Sequence, residues 1–103
     1  MDEINLYELL KTTGLPVAYH HYNSPPEPSY LVYFFRSSDD LAADNINYIP
    51  INNYQLELYT GIKDLQTERR IEVCLTAADI YFSKQEIYIN SERLYQVVYE
   101  IQI

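Results

Sequence analysis

The sequence predicts an α+β fold, in which a small antiparallel β-sheet carries two helices packed on one face. Two segments space their apolar residues as helices do, several others alternate or run apolar as strands do, and the strands outnumber the helices. The expected order is α-β-β-β-α-β, with an optional extra hairpin before the last strand. At 103 residues the chain has the length of one domain, so residues 1–103 are expected to share a single core.

The first helix is predicted at the start of the chain. Asp2 can cap it, and Gly14 can end it in a left-handed conformation. Its apolar residues recur at helical spacing at Leu6, Leu9 and Leu10. A short strand or extended segment is expected next, at Leu15–Tyr19.

Strands and loops dominate the middle of the chain. Three prolines exclude helix and central strand from Asn23–Ser29, whereas the continuous apolar run Tyr30–Arg36 predicts a strand with both faces at least partly covered. The polar, acidic segment Ser37–Asn45 is expected to be a long loop. The next segment, Ile46–Tyr59, is interrupted by Pro50 and two asparagines. Its second half predicts a half-buried strand with one face formed by Tyr54, Leu56 and Leu58.

The second helix is predicted to start after Asp64, which can cap it, and to end near Ala78-Asp79. One face is expected to be apolar, with Ile71, Cys74, Leu75 and Ala78, and with Leu65 near the same face. The opposite, solvated side is expected to hold Glu68, Arg69 and Glu72.

The last part of the chain predicts more sheet. Ile80–Phe82 and Glu86–Ile89 flank Ser83–Gln85 as a possible short hairpin, followed by a turn at Asn90–Glu92. Leu94–Ile103 alternates throughout and is the strongest predicted strand. The sheet face away from the helices is expected to be polar and solvated, with Gln55, Glu57, Gln96 and Glu100.

Charge and cysteine content exclude several classes of protein. Fifteen acidic residues against seven basic ones give a formal net charge of −8, which opposes the phosphate neutralisation on which nucleic-acid binding depends. No apolar run is long enough to span a membrane, and the acidic start predicts no secretory signal. A single cysteine allows no internal disulfide and no multi-cysteine zinc site, so the expected compartment is a reducing cytoplasm or a particle assembled there.

Residues that could carry chemistry are few, and we predict neither enzymatic activity nor a cofactor. Two glycines cannot form a Gly-rich phosphate loop, and Cys74 fits a small buried apolar residue. If His20 and His21 lie on a strand they point to opposite faces, so they are expected to be exposed and to hold no metal. The alternative is a metal-dependent nuclease that combines one of them with Asp39, Asp40 and Asp44.

Twelve tyrosines and three phenylalanines, with no tryptophan, form the most unusual feature of the composition. Tyrosine is enriched in strands and at protein interfaces. Most of the twelve fit a β-rich core, and any excess suggests surfaces for association. Composition alone therefore also fits a small acidic cytoplasmic interaction module that dimerises through its sheet.

Several stretches together resemble the tail-completion proteins of long-tailed bacteriophages and prophages, which are also called head–tail joining or tail-terminator proteins. In order and spacing they cover most of the chain: Leu15-Pro16-Val17-Ala18-Tyr19, the Pro-rich loop into Tyr30-Leu31-Val32-Tyr33, Ala42-Ala43-Asp44 before Tyr48, Leu56-Glu57-Leu58-Tyr59-Thr60 before Lys63-Asp64, Ile71-Glu72, and the run from Ser91 to Ile101. The paired histidines and the long aromatic run to Phe35 depart from that pattern.

The resemblance implies an α+β structural protein of the virion, assembled in the bacterial host cytoplasm. Copies would form a ring at the head-proximal end of the tail, terminate the tube, and contact the tail-tube protein and the head-connector protein. A ring needs a heterologous contact between different faces of neighbouring copies. The expected contact residues are Ser37, Asp39, Asp40, Asp44, Tyr48, Tyr54 and Tyr59.

Overall fold

The computed structural model describes residues 1–39, 41–42 and 48–103. Within these residues the chain forms two helices and seven strands. In chain order they are α1 (Glu3–Lys11), β1 (Val17–Tyr19), β2 (Tyr30–Ser38), β3 (Leu41–Ala42), β4 (Tyr48–Ile49), β5 (Asn52–Thr60), α2 (Leu65–Ala77), β6 (Phe82–Ile89) and β7 (Leu94–Gln102).

Five strands form one sheet in the order β1-β2-β5-β7-β6, and β3 pairs with β4 separately. The α+β class is confirmed. Antiparallel pairing is confirmed for β2, β5, β7 and β6, but β1 runs parallel to β2, with Val17 opposite Leu31. The Pro-rich segment of residues 20–29 carries the chain back to the start of β1 before β2 begins, so the sheet is mixed.

Both predicted helices form, and side chains cap them. The Asp2 carboxylate accepts from the Asn5 backbone N–H at 2.7 Å, and Gly14 beyond α1 has a φ of 82° that favours glycine. The Asp64 carboxylate accepts from the backbone N–H and the hydroxyl of Thr67 at 3.1 and 2.7 Å. These bonds satisfy donors that a helix N-terminus otherwise leaves unpaired.

The core lies between the two helices and one face of the five-stranded sheet. The predicted alternation is confirmed on β5 and β7, whose inward residues are buried. The buried cluster is Leu6, Leu10, Leu15, Leu31, Tyr33, Tyr54, Leu56, Leu58, Ile71, Leu75, Ile80, Val97, Tyr99 and Ile101.

Two residues of α2 reverse the environments predicted for them. Leu65, expected near the apolar face, is 68% exposed, and Glu68, expected in solvent, is only 1% exposed. Leu65 is the first residue of the helix, and its side chain does not join the core cluster. Glu68 is buried because lysines outside α2 neutralise its charge.

The strand boundaries differ from the prediction in two places. β2 extends to Ser38 after a bulge between Phe35 and Ser37, and β5 already begins at Asn52, so the predicted loop at Ser37–Asn45 starts too early. The hairpin predicted around Ser83–Gln85 is wrong, because β6 is one continuous strand along β7. Its polar residues Ser83–Gln85 suggested a turn, but Lys84 among them forms ion pairs with Glu68 and Glu72 of α2. The turn at Asn90–Glu92 is confirmed.

Candidate assembly surfaces

Two of the predicted contact residues lie at the end of the β2–β5 ladder. The Asn53 amide donates to the Ser37 hydroxyl at 3.0 Å and to the Asp39 carboxylate at 2.7 Å, while the Asp39 backbone N–H donates to the Ile51 carbonyl at 2.8 Å. Both Ser37 and Asp39 are exposed. Their side chains are accessible to a neighbouring molecule, and their role as contact residues stays a prediction.

Three further predicted contact residues lie wholly or partly outside the described residues. Asp40 and Asp44 lie outside the described residues. Tyr48 belongs to β4 and its backbone pairs with Ala42, but its side chain also falls outside what is described.

The two remaining tyrosines face opposite sides of the sheet. Tyr54 is 5% exposed and its hydroxyl donates to the Glu3 carboxylate at 2.7 Å, so in the single chain it belongs to the core. Tyr59 is half-buried on the face away from the helices, where its ring stacks on that of Tyr30 with 5.1 Å between the ring centroids. Burial, followed by the neighbouring Glu57, raises the pKa of the Tyr59 hydroxyl.

The face away from the helices is divided into a polar half and an aromatic half. On β5 and β7 it carries the predicted polar residues, with Gln55 donating to Glu57 at 2.7 Å and Gln96 donating to the Tyr59 hydroxyl at 2.8 Å. On β2 it is apolar, and Tyr30 and Val32 are buried there. The segment between β1 and β2 covers this half, because the Tyr22 ring packs on Tyr30 and the His20 ring on Phe34.

The histidine pair has a different geometry from the one predicted. His20 follows β1 with a φ of 68°, and the Nδ1 atoms of His20 and His21 lie 3.0 Å apart instead of on opposite faces of a strand. Both side chains are exposed. In the part of the chain that the structure describes, no three or more His, Cys, Asp or Glu residues come together in a metal-binding arrangement.

A network of charged side chains holds α2 against β6, and no motif or spacing in the sequence predicted it. The Glu68 carboxylate pairs with Lys63 at 2.6 Å and with Lys84 at 2.7 Å, and Lys84 also pairs with Glu72 at 2.7 Å. The hydroxyl of Tyr99 donates to Glu72 at 2.7 Å, and Lys63 also bonds Glu86. Burial raises the pKa of Glu68, but the two lysines outweigh it and hold that pKa below its ordinary value.

An apolar groove of about 510 Å³ lies where the end of α1 meets the outer side of α2. Val73 is exposed along it, and the thiol of Cys74 donates to the Leu9 carbonyl at 3.4 Å. Two arginines, Arg69 and Arg70, lie on the same groove. Cys74 is therefore half-buried at a surface depression, where the sequence predicted a small buried side chain.

The β6 strand forms one edge of the sheet. Within the described residues it pairs with β7 alone, so the backbone groups of its other side have no partner strand. Ile87 on this strand is 54% exposed and Tyr88 is also exposed. An edge of eight residues with exposed apolar side chains is a surface on which another strand can pair.

Comparisons with known proteins show the fold. No protein-family model matches the chain, and no curated protein matches it in sequence. Among solved structures, it is similar to a chain in the virion of a native gene transfer agent particle, with a TM-score of 0.54 and 15% identity over 98% of this chain and 83% of that one. Neither helix among the described residues is long and apolar enough to cross a membrane.

Proposed function

We propose that this protein is a structural component of a phage-like particle. Its copies assemble as a ring at the head-proximal end of the tail, where they terminate the tube and join it to the head connector. The observation that carries the proposal is the fold shared over 98% of the chain with a virion component of a gene transfer agent. The sequence resemblance to tail-completion proteins supports the same role.

The surfaces of the chain suit such a role. The unpaired edge of β6 offers backbone hydrogen bonds to a neighbouring copy, and Ser37 and Asp39 are accessible at the end of the β2–β5 ladder. The partners in this role are other copies of the chain, the tail-tube protein and the head-connector protein. In this role the protein acts through non-covalent contacts and catalyses no reaction.

A second candidate is an acidic interaction module that dimerises through its sheet. The same β6 edge favours it, because two copies can pair their β6 strands around a two-fold axis and stop at two. Such a contact is isologous, whereas a ring needs a heterologous one. The two candidates therefore predict different numbers of copies.

Light scattering on the purified chain at increasing concentration separates the candidates. The proposed function predicts particles of more than two copies, either alone or after addition of the tail-tube protein. A mass that stops at two copies under both conditions supports the dimeric module. A chain that stays monomeric under both conditions contradicts both candidates.

A further inference from the structure

The groove between α1 and α2 combines an apolar floor with the positive charge of two arginines. Leu9, Val73 and Cys74 supply apolar surface, and Arg69 and Arg70 lie on the same depression. A depression of about 510 Å³ is large enough for a few side chains of a partner. Its lining favours a partner segment that carries both acidic and apolar residues.

The charge distribution makes this groove exceptional in the molecule. Of the seven basic residues, Arg36, Lys63 and Lys84 form ion pairs with carboxylates. The other four have no ion-pair partner among the described residues. They are Lys11, Arg69, Arg70 and Arg93. Arg69 and Arg70 lie on the groove, whereas the Lys11 ammonium lies over the Tyr7 ring. A chain of net charge −8 therefore places two of these four cations on one apolar surface.

The chain itself contains a segment with the complementary chemistry. Ser37–Asn45 carries three aspartates, Asp39, Asp40 and Asp44, around the apolar residues Leu41, Ala42 and Ala43. Asp39 is exposed. Opposite charge brings such surfaces together and fixes their register.

Within one molecule the groove and the described start of this segment, Ser37–Asp39, lie at opposite ends. The Tyr54 hydroxyl bonds Glu3 at the start of α1, and β2 continues beyond this point from Phe35, opposite Tyr54, to Ser38. The groove is at the other end of α1, about 13 Å away along a helix that rises about 1.5 Å per residue. A contact between the groove and Ser37–Asp39 therefore joins two molecules head to tail, the heterologous arrangement that closes into a ring when the rotation between copies permits it.

We propose that the groove between α1 and α2 binds the acidic segment Ser37–Asn45 of a second copy. This inference rests on the proposed function, because it names the contact between neighbouring copies in the ring. The aspartates contact Arg69 and Arg70, and the apolar residues of the segment cover Val73 and Cys74.

Charge reversal tests the groove. Light scattering and sedimentation velocity compare the wild-type chain with Arg69→Glu/Arg70→Glu, with Arg93→Glu as a control that reverses a cation outside the groove. We expect the groove variant to weaken self-association at least about tenfold and the control to leave it unchanged. Thermal melting shows whether each variant keeps its fold. Equal association of the groove variant and the wild type contradicts the inference alone, whereas a wild-type chain that never associates contradicts the proposed function as well.

A reciprocal change identifies the occupant. The variant Asp39→Lys/Asp40→Lys is expected to lose association alone, and mixing it with Arg69→Glu/Arg70→Glu is expected to restore association, because each groove then meets a segment of opposite charge. Full association of the segment variant alone assigns the groove to another partner surface and overturns the inference. A mixture that stays monomeric also contradicts it.

The single cysteine provides an independent measurement. Because Cys74 lines the groove, its reaction with a thiol reagent is expected to slow at least about tenfold in the assembled state relative to dilute monomer. An unchanged rate in assembled wild-type protein contradicts occupation of the groove.

Discussion

Glu68 of α2 and Lys84 of β6 form an ion pair of 2.7 Å in which the carboxylate is almost completely removed from water. Lys63 approaches the other carboxylate oxygen at 2.6 Å, so one buried negative charge lies between two positive ones. A buried carboxylate is tolerated when such partners compensate the loss of hydration. The arrangement joins the helix layer to the edge strand of the sheet.

Substitution of Glu68 tests whether these ion pairs stabilise the fold. Glu68→Gln keeps the side-chain shape but removes the charge that both lysines pair with. We expect a loss of about 2–3 kcal/mol in the free energy of unfolding, at the low end for a broken buried pair because both lysines reach solvent. Denaturant unfolding measures this change in the free energy of unfolding. Glu8→Gln, an exposed change on α1, is the control and is expected to cost less than about 0.5 kcal/mol. Equal stability of the two variants contradicts a stabilising role for the network.

The same network predicts a dependence of stability on acid. The pKa of Glu68 lies below its ordinary value of 4.5 in the folded chain, so the unfolded chain binds the proton more readily. The contribution of Glu68 is therefore present above about pH 4.5 and is lost as the pH falls through the folded pKa. Unfolding curves of wild type and Glu68→Gln, measured from neutral to acid pH, are expected to converge. A constant difference down to strongly acid pH contradicts this assignment.

Three tyrosines predict a second transition at alkaline pH. Burial, supported by neighbouring carboxylates, raises the pKa of Tyr54, Tyr59 and Tyr99 above the ordinary value of 10.0. Their contribution to stability is present below about pH 10 and is lost as the pH rises through the folded values. Part of the tyrosinate absorbance is therefore expected to develop only as circular dichroism records unfolding. Complete ionisation of all twelve tyrosines in a folded chain would show that these hydroxyls are accessible.

The edge of β6 is expected to contribute to association without contributing to stability. Ile87→Lys places a charge on an exposed edge position and opposes pairing with another strand. We expect weaker self-association and a change in unfolding free energy below about 0.5 kcal/mol. Ile4→Lys on the exposed side of α1 is the matched control. If both variants associate as the wild type does, the edge plays no part in assembly.

Local patterns predicted the parts of the fold that local interactions determine. Asp2 and Asp64 cap the helices because their carboxylates reach backbone donors three residues ahead. The buried and exposed positions of β5 and β7 follow from alternation alone. That alternation places Tyr54 on the same face as Leu56 and Leu58, and all three side chains lie in the core.

Features that depend on distant parts of the chain could not be predicted in this way. Glu68 lies on a helix position that is polar in pattern, and its burial depends on Lys84, which is sixteen residues away on another element. The parallel direction of β1 depends on the course of the Pro-rich segment. The groove exists because the end of α1 packs beside α2, and no spacing within either helix encodes that contact.

Electron microscopy of tails assembled with and without this protein tests the proposed role in tail completion. We expect that its absence yields over-long tails or heads that remain unjoined, and that added wild-type protein restores joined particles of normal tail length. Normal, joined particles formed in its absence would contradict a role in tail completion.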